Sequence, residues 1–177
     1  MKRTEFTGYP EISAQEMEEA MRFAVASVTE NLKTFTDKFQ KAYSENGFYQ
    51  PIENNYWTTG FWTGEIWLAY EYACAHDMAQ AADALRHAGE VQIDSFMNRI
   101  VNKIEVDHHD MGFLYTPSCV AGYKLTGSKT GREAAIKAAD QLITRFHPIG
   151  EFIQAWGTMD APENYRLIID CLLNLPL

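Results

Sequence analysis

Apolar residues return at near-helical spacing through most of the chain. From Met17 they recur at Met21, Phe23, Ala24, Val28, Leu32 and Phe35, which lines one face of a 3.6-residue period. Ser13-Ala-Gln-Glu16 reads as a capping box just ahead of that run. The spacing predicts a first helix over about 14–43, stopped by Gly47 and Pro51. A loop rich in Gly, Pro, Asn and aromatics follows over 45–62, then a second helix over 63–76. Asp77-Met-Ala-Gln80 reads as another capping box, opening a third helix that runs to Lys103. After a polar loop over 105–112, a fourth helix is predicted over 113–125, with Pro117 in its first turns, where proline is tolerated. Thr126-Gly127-Ser128 makes a turn, a fifth helix covers 130–146, and His147-Pro-Ile-Gly150 breaks it. A sixth helix is expected from Pro162 to Asn174. No segment sustains period-two alternation; Phe152-Ile-Gln-Ala-Trp156 comes nearest to a strand.

These elements repeat. A short aromatic helix and a longer Ala-rich one form a unit over 63–103, and the same order returns over 113–146. A period of about 50 residues points to stacked helix pairs, either an open solenoid or a closed ring of hairpins. The aromatic members suit an inner layer and the Ala-rich members an outer one. A ring of six such hairpins needs about 300 residues on that period, so this chain holds roughly half of one. Its last stretch, Leu167 to Leu177, is apolar with no polar tail, which fits a shortened chain better than a solvated natural terminus. The alternative is a complete small α domain whose last helix docks in the core.

Composition narrows the classes. With 46% hydrophobic residues the 177-residue chain can bury a sizeable core, and aromatics are high at 13%, an excess that core packing can absorb and that a sugar site also uses. Aromatic faces stack on the C–H faces of sugar rings. A net charge of −9 argues against nucleic acid, which calls for clustered Lys and Arg. Cys74, Cys119 and Cys171 fit no zinc or redox spacing and read as small buried thiols in a reducing compartment. Met1-Lys-Arg-Thr-Glu5 leads into polar sequence without a signal-like apolar region, and no apolar run reaches membrane-spanning length. A cytoplasmic protein is the expectation.

Residues able to do chemistry gather before the second, fourth and sixth helices, loops that would share one mouth of a hairpin ring. Asp107-His-His-Asp110 is the densest polar cluster. It suits a helix N-cap, general acid–base work by Asp110 with His109 as partner, or, less well, a metal. Adjacent histidines seldom reach one ion, and neither an HxH nor an HExxH spacing is present. Asp170 stands in Leu167-Ile-Ile-Asp-Cys-Leu-Leu173. Within an apolar helix, a carboxylate must be protonated, partnered (Arg166 lies one turn back) or face a cavity. Trp62 lies among Gly60, Thr63 and Gly64, where backbone can come close to a ligand, and Trp156 lies in the loop before the sixth helix. Trp67 is assigned to the core.

Three of these segments carry a resemblance: Tyr56-Trp-Thr-Thr-Gly-Phe-Trp-Thr-Gly-Glu65, His108-His-Asp-Met-Gly-Phe-Leu-Tyr115 and Tyr165-Arg-Leu-Ile-Ile-Asp-Cys-Leu-Leu-Asn-Leu-Pro176. The chain from about Asn55 onward resembles the unsaturated glucuronyl hydrolases. That resemblance implies an all-α (α/α)6 six-hairpin barrel, of which about the first three hairpins are present, in a single catalytic domain whose N-terminal portion is 1–177. It implies hydrolysis of unsaturated disaccharides or oligosaccharides that polysaccharide lyases release from glycosaminoglycans such as chondroitin and hyaluronan. The reaction protonates and hydrates the C4=C5 bond with no metal or organic cofactor. By resemblance, Asp170 is the general acid/base, Asp110 the second essential carboxylate, and His109, Trp62 and Trp156 are substrate contacts. The partner is a small sugar, with neither nucleic acid nor membrane. Two alternatives stay open: an unsaturated rhamnogalacturonyl hydrolase acting on pectin fragments, which the paired histidines disfavour, and a non-catalytic sugar-binding helical-repeat protein.

Overall fold

The computed structural model describes residues 11–177; the Met1–Glu5 segment read above lies outside them. Helix α1 (Ala14–Phe35) opens with the predicted capping box. Ser13 Oγ accepts from the Glu16 amide at 3.2 Å, and Glu16 Oε2 accepts from the Ser13 amide at 2.8 Å. The helix ends well before residue 43, because the chain turns into an antiparallel hairpin, β1 (Phe39–Glu45) with β2 (Phe48–Ile52). Its two-residue turn, Asn46-Gly47, has φ of 51° and 82°, the double positive φ of a type I′ hairpin. That dipeptide outweighs the weak helical period on either side.

Helix α2 (Thr59–Ala75) and helix α3 (Ala79–Val101) form one antiparallel pair. The expected capping box at Asp77 does not form. Asp77 takes φ 56° in the tight turn itself, and Met78 occupies the N-cap with no side-chain bond. Then α4 (Met111–Tyr115), a π-helical turn (Thr116–Val120) and α5 (Ala121–Thr126) run on end to end. Pro117 has no N–H to give the preceding turn, and the helix widens locally to accommodate it. Helix α6 (Lys129–Ile143) is capped by Ser128, whose Oγ accepts from the Gly131 amide at 3.1 Å. It stops short of residue 146, where β3 (Phe146–His147) pairs antiparallel with β4 (Phe152–Ile153). The segment read as nearest to a strand therefore contributes one.

The predicted sixth helix is absent. In its place stand a 3-10 turn (Pro162–Asn164), an irregular stretch, and a four-residue helix α7 (Cys171–Asn174). The Arg166 carbonyl accepts from the Ala155 amide at 3.0 Å, so this backbone bonds sideways to a neighbouring loop and cannot continue as a helix.

The long helices pack in two layers, as the repeat predicted. The aromatic helix α2 lies against α4 and the π-turn, and the Ala-rich α3 and α6 lie against each other behind them. Between the layers Ile66, Trp67, Leu85, Ile93, Phe96, Leu114 and Tyr115 are buried, with Ala134 and Ala138 supplying the close-approaching face of α6. Gly60 makes the α2–α4 contact possible: a Cβ there would fall 2.2 Å from the Phe113 carbonyl oxygen. The glycine expected to admit a ligand admits a neighbouring helix. Cys119 and Cys171 are buried as predicted, but Cys74 is exposed on α2. Among the described residues no helix is long and apolar enough to cross a membrane.

Candidate active site

Two buried arginines draw the interhelical loops together. Arg99, in the last turn of α3, gives Nη1 to Asn54 Oδ1 (3.0 Å), the Tyr56 carbonyl (2.9 Å) and Thr59 Oγ1 (3.1 Å). Its Nη2 reaches the Glu105 carbonyl at 2.7 Å. The loop before α2 and the loop before α4 are thus tied to one guanidinium. Arg145 does the same beyond α6. Its Nε donates to the Gln154 carbonyl (2.8 Å), one Nη to the Gly157 carbonyl (2.9 Å) and the other to Asp107. Gln154, also buried, turns its amide onto the Trp156 and Gly157 carbonyls at 3.0 and 2.9 Å.

The loop before α4 is pinned to this scaffold by the His109 amide, which donates to the Ala155 carbonyl at 2.8 Å. Asp110 and Asp170 both stand at N-cap positions, of α4 and α7, with no capping bond of their own. His109 Nε2 lies between them, 3.3 Å from Asp110 Oδ1 and 3.9 Å from Asp170 Oδ1. One oxygen from each carboxylate and this nitrogen lie within 4.8 Å of one another. The imidazole is 1% exposed, whereas the two carboxylates are 16% and 34% exposed, so the acids face outward from a buried base. His109 Nδ1 and Asp170 Oδ1 are buried atoms with no hydrogen-bond partner in the protein. Orphaned polar groups of this kind call for an explanation, and a ligand is one.

His108 also touches the pair, with Nδ1 3.2 Å from Asp110 Oδ2. Its Nδ1 accepts from the Asp110 amide at 3.1 Å, which leaves Nε2 to carry the proton and donate to the Glu105 carbonyl at 2.9 Å. The Cys171 thiol beside the pair is pushed up, by burial first and then by the charges of Asp170 and Asp110.

Trp156 joins the site. Its ring stands 6.2 Å from that of His109 at 70°, and the Arg166 guanidinium lies over it at 5.2 Å. Arg166 bonds the Glu163 carbonyl and does not partner Asp170. Two expectations are corrected. Asp170 is not embedded in an apolar helix: Leu167, Ile169, Leu172 and Leu173 around it are all exposed, because the helix that would have buried them is absent. Trp62 is not brought to the site. It is 2% exposed, packed edge-on to Phe35 at 5.7 Å, with its indole N–H donated to the Phe35 carbonyl at 2.9 Å. The exposed aromatics beside α4 are instead Trp57 and Phe61, each close to Phe113 (6.2 and 5.4 Å between ring centroids). Phe61 lies in the first turn of α2 and Trp57 in the turn just before it, both exposed, whereas Trp62 and Ile66 are buried.

No family model matches the chain. The unsaturated chondroitin disaccharide hydrolase of Streptococcus pneumoniae is 44% identical over 172 residues, covering 97% of this chain and 42% of that protein. Among solved structures, the unsaturated glucuronyl hydrolase of Streptococcus agalactiae superposes with a TM-score of 0.89 at 44% identity, over 96% of this chain and 41% of the other. Over nearly its whole length the chain is similar to the unsaturated glucuronyl hydrolase family. Its layered helix pairs are part of that family's (α/α)6 barrel. The chain spans 42%, 39% and 41% of the length of three curated relatives, all unsaturated chondroitin disaccharide hydrolases. An aspartate-to-asparagine variant of the Streptococcus agalactiae enzyme has been solved in complex with dGlcA-GalNAc6S. It matches with a TM-score of 0.77 at 37% identity, over 96% of this chain and 38% of that one. The three donor atoms grouped around His109 Nε2 are also the arrangement among the described residues that could hold a cation.

Proposed function

We propose that the protein carrying this chain hydrolyses unsaturated glucuronyl disaccharides and oligosaccharides, of the kind that polysaccharide lyases release from glycosaminoglycans. The observation that carries this reading is the Asp110–His109–Asp170 arrangement, with two carboxylate oxygens and an imidazole nitrogen within 4.8 Å of one another and the acids facing outward. The substrate's C4=C5 bond forms a vinyl ether with the ring oxygen. Asp170 gives a proton to C4, and the developing cation at C5 is shared with the ring oxygen. Water adds at C5, losing its proton to the Asp170 carboxylate, which restores the acid. The C5 hemiketal opens to a ketone, C1 is left as a hemiacetal, and that carbon expels the second sugar as its alcohol. One water is consumed. Asp110, beside His109, positions the ring and stabilises the charge that develops. Trp156 offers a face to the sugar, and Arg166 above it offers a cation to the substrate carboxylate. Hyaluronan as well as chondroitin fragments, and a cytoplasmic site of action, belong to the same reading.

The test is the loss of alkene absorbance from an unsaturated chondroitin disaccharide by the full-length protein. Asp170→Asn is expected to lower kcat by at least about 10²-fold, the lower range of general acid–base contributions, while substrate still binds. Addition of EDTA is expected to leave turnover unchanged. Wild-type turnover that survives Asp170→Asn, or that a chelator abolishes, overturns the mechanism. Binding with no turnover in the wild type marks a sugar-binding module.

A further inference from the structure

The two carboxylates come from segments some 60 residues apart, and a single side chain joins those segments directly. Asn174, wholly buried in α7, accepts at Oδ1 from the Phe113 amide in the first turn of α4, at 2.8 Å. Its Nδ2 donates to the carbonyl of Asp170 itself, at 3.2 Å. The backbones meet at Gly112. A Cβ there would lie 2.3 Å from Asn174 Cα and 2.4 Å from its carbonyl oxygen, so only glycine lets α7 seat this closely against α4. Asp110 and Asp170 each precede their short helix by one residue, with no side-chain cap to fix them. The α4–α7 contact ties them directly, beside the backbone bonds that run from His109 and Arg166 through Ala155.

We infer that Asn174, with Gly112 as the site of close approach, is a positioning residue that holds Asp170 in register with Asp110 for the proton transfer. The inference rests on the proposed activity and goes beyond it. Asn174 touches no reacting atom, and its amide serves both ends of this clasp, the oxygen accepting at one and the nitrogen donating at the other. A displacement of about 1 Å at a reacting group can cost on the order of 10²-fold in rate. Loss of the clasp should therefore slow the chemical step and leave the sugar-stacking surface at Trp156 in place.

The experiment is a single-turnover measurement on the full-length protein, with enzyme in saturating excess over the unsaturated disaccharide. Under those conditions a smaller active fraction leaves the rate constant unchanged, whereas a misplaced carboxylate lowers it. Asn174→Ala is expected to reduce the rate constant roughly 10- to 100-fold. The enzyme concentration that gives half the maximal rate is expected to shift by less than about threefold, a margin of under ~1 kcal/mol in binding. Asn174→Leu, closest in shape, and Gly112→Ala, which keeps every polar group but forces the backbones apart, are expected to do the same. A wild-type rate constant in Asn174→Ala overturns the inference, as does a loss confined to substrate affinity. So does the failure of both Asn174 variants to fold, which would make the residue a purely structural one. Absence of turnover in the wild type sinks the proposed activity instead, and the two failures are thereby separable.

Discussion

Trp57 and Trp62 stand five positions apart and illustrate how one aromatic can serve a surface and another a core. Trp62 is 2% exposed with its N–H satisfied by the Phe35 carbonyl, whereas Trp57 is 41% exposed beside Phe61 and Phe113. Trp62→Ala should cost about 3–5 kcal/mol of stability through the cavity it leaves. Trp57→Ala should cost under about 1 kcal/mol of stability and raise KM for the disaccharide, if the exposed ring stacks on sugar. Urea denaturation and steady-state kinetics on the two variants separate the roles; a large stability loss in Trp57→Ala with KM unchanged would reverse the assignment. His109 and Asp110 stand out in the sequence as a polar cluster and Asp170 as a carboxylate in an apolar run, whereas their roles, and Trp156 as a contact, come from the resemblance. The sequence misdirected the choice of tryptophan because flanking glycines look the same whether they admit a ligand or a helix. It also misjudged why Asp170 is unusual: the apolar neighbours that suggested a buried helix are exposed, and the orphaned oxygen of Asp170 arises where three loops meet.

Among the elements, the long helices followed from periodicity, but their ends and the loops between them did not. Asn46-Gly47 is a hairpin dipeptide stronger than the weak helical period before it, so α1 ends at Phe35 and not near residue 43. Arg99 and Arg145 were not singled out. Arg99 had a usable signal, since it falls on the buried face of α3 with Phe96 and Ile100, where a charge must be fully bonded. Arg145 stands just past α6, and its three partners are distant in sequence or backbone atoms, so nothing local announces it. The bonds of Arg145 differ in weight. The Asp107 side chain is 76% exposed, so its ion pair is screened by water and Asp107→Ala should cost less than about 1 kcal/mol. Arg145→Met leaves the buried Gln154 carbonyl without its donor, at about 1–3 kcal/mol, and the Gly157 carbonyl with only the Gln154 amide. Urea titration of both variants should show a several-fold difference in lost stability. Equal losses would mean that the Asp107 pair, and not the backbone clasp, holds the Trp156 loop.

At the level of the assembled fold, the helix pairs leave a broad apolar surface uncovered. Ile169 is 90% exposed, Leu172 67% and Leu173 66%, all close in sequence to Asp170, and Leu68 on α2 is 66% exposed. Apolar patches of this extent on a soluble protein mark surfaces that another element covers, and the curated relatives are more than twice as long as this chain, which spans 42% of the first. Protonating an alkene carbon requires a site from which bulk water is excluded and in which charges are fixed, whereas Asp110 and Asp170 are 16% and 34% exposed. The 177-residue chain by itself is therefore expected to bind a hydrophobic dye such as ANS, to self-associate with rising concentration, and to turn over the unsaturated disaccharide at a small fraction of the full-length rate. Leu172→Lys with Leu173→Lys should suppress dye binding and association in the isolated chain without restoring turnover, because solubility and closure of the site are separate requirements. Full turnover by the isolated chain would mean that these helix pairs alone supply the environment the reaction needs, and that the rest of a relative's length serves another purpose.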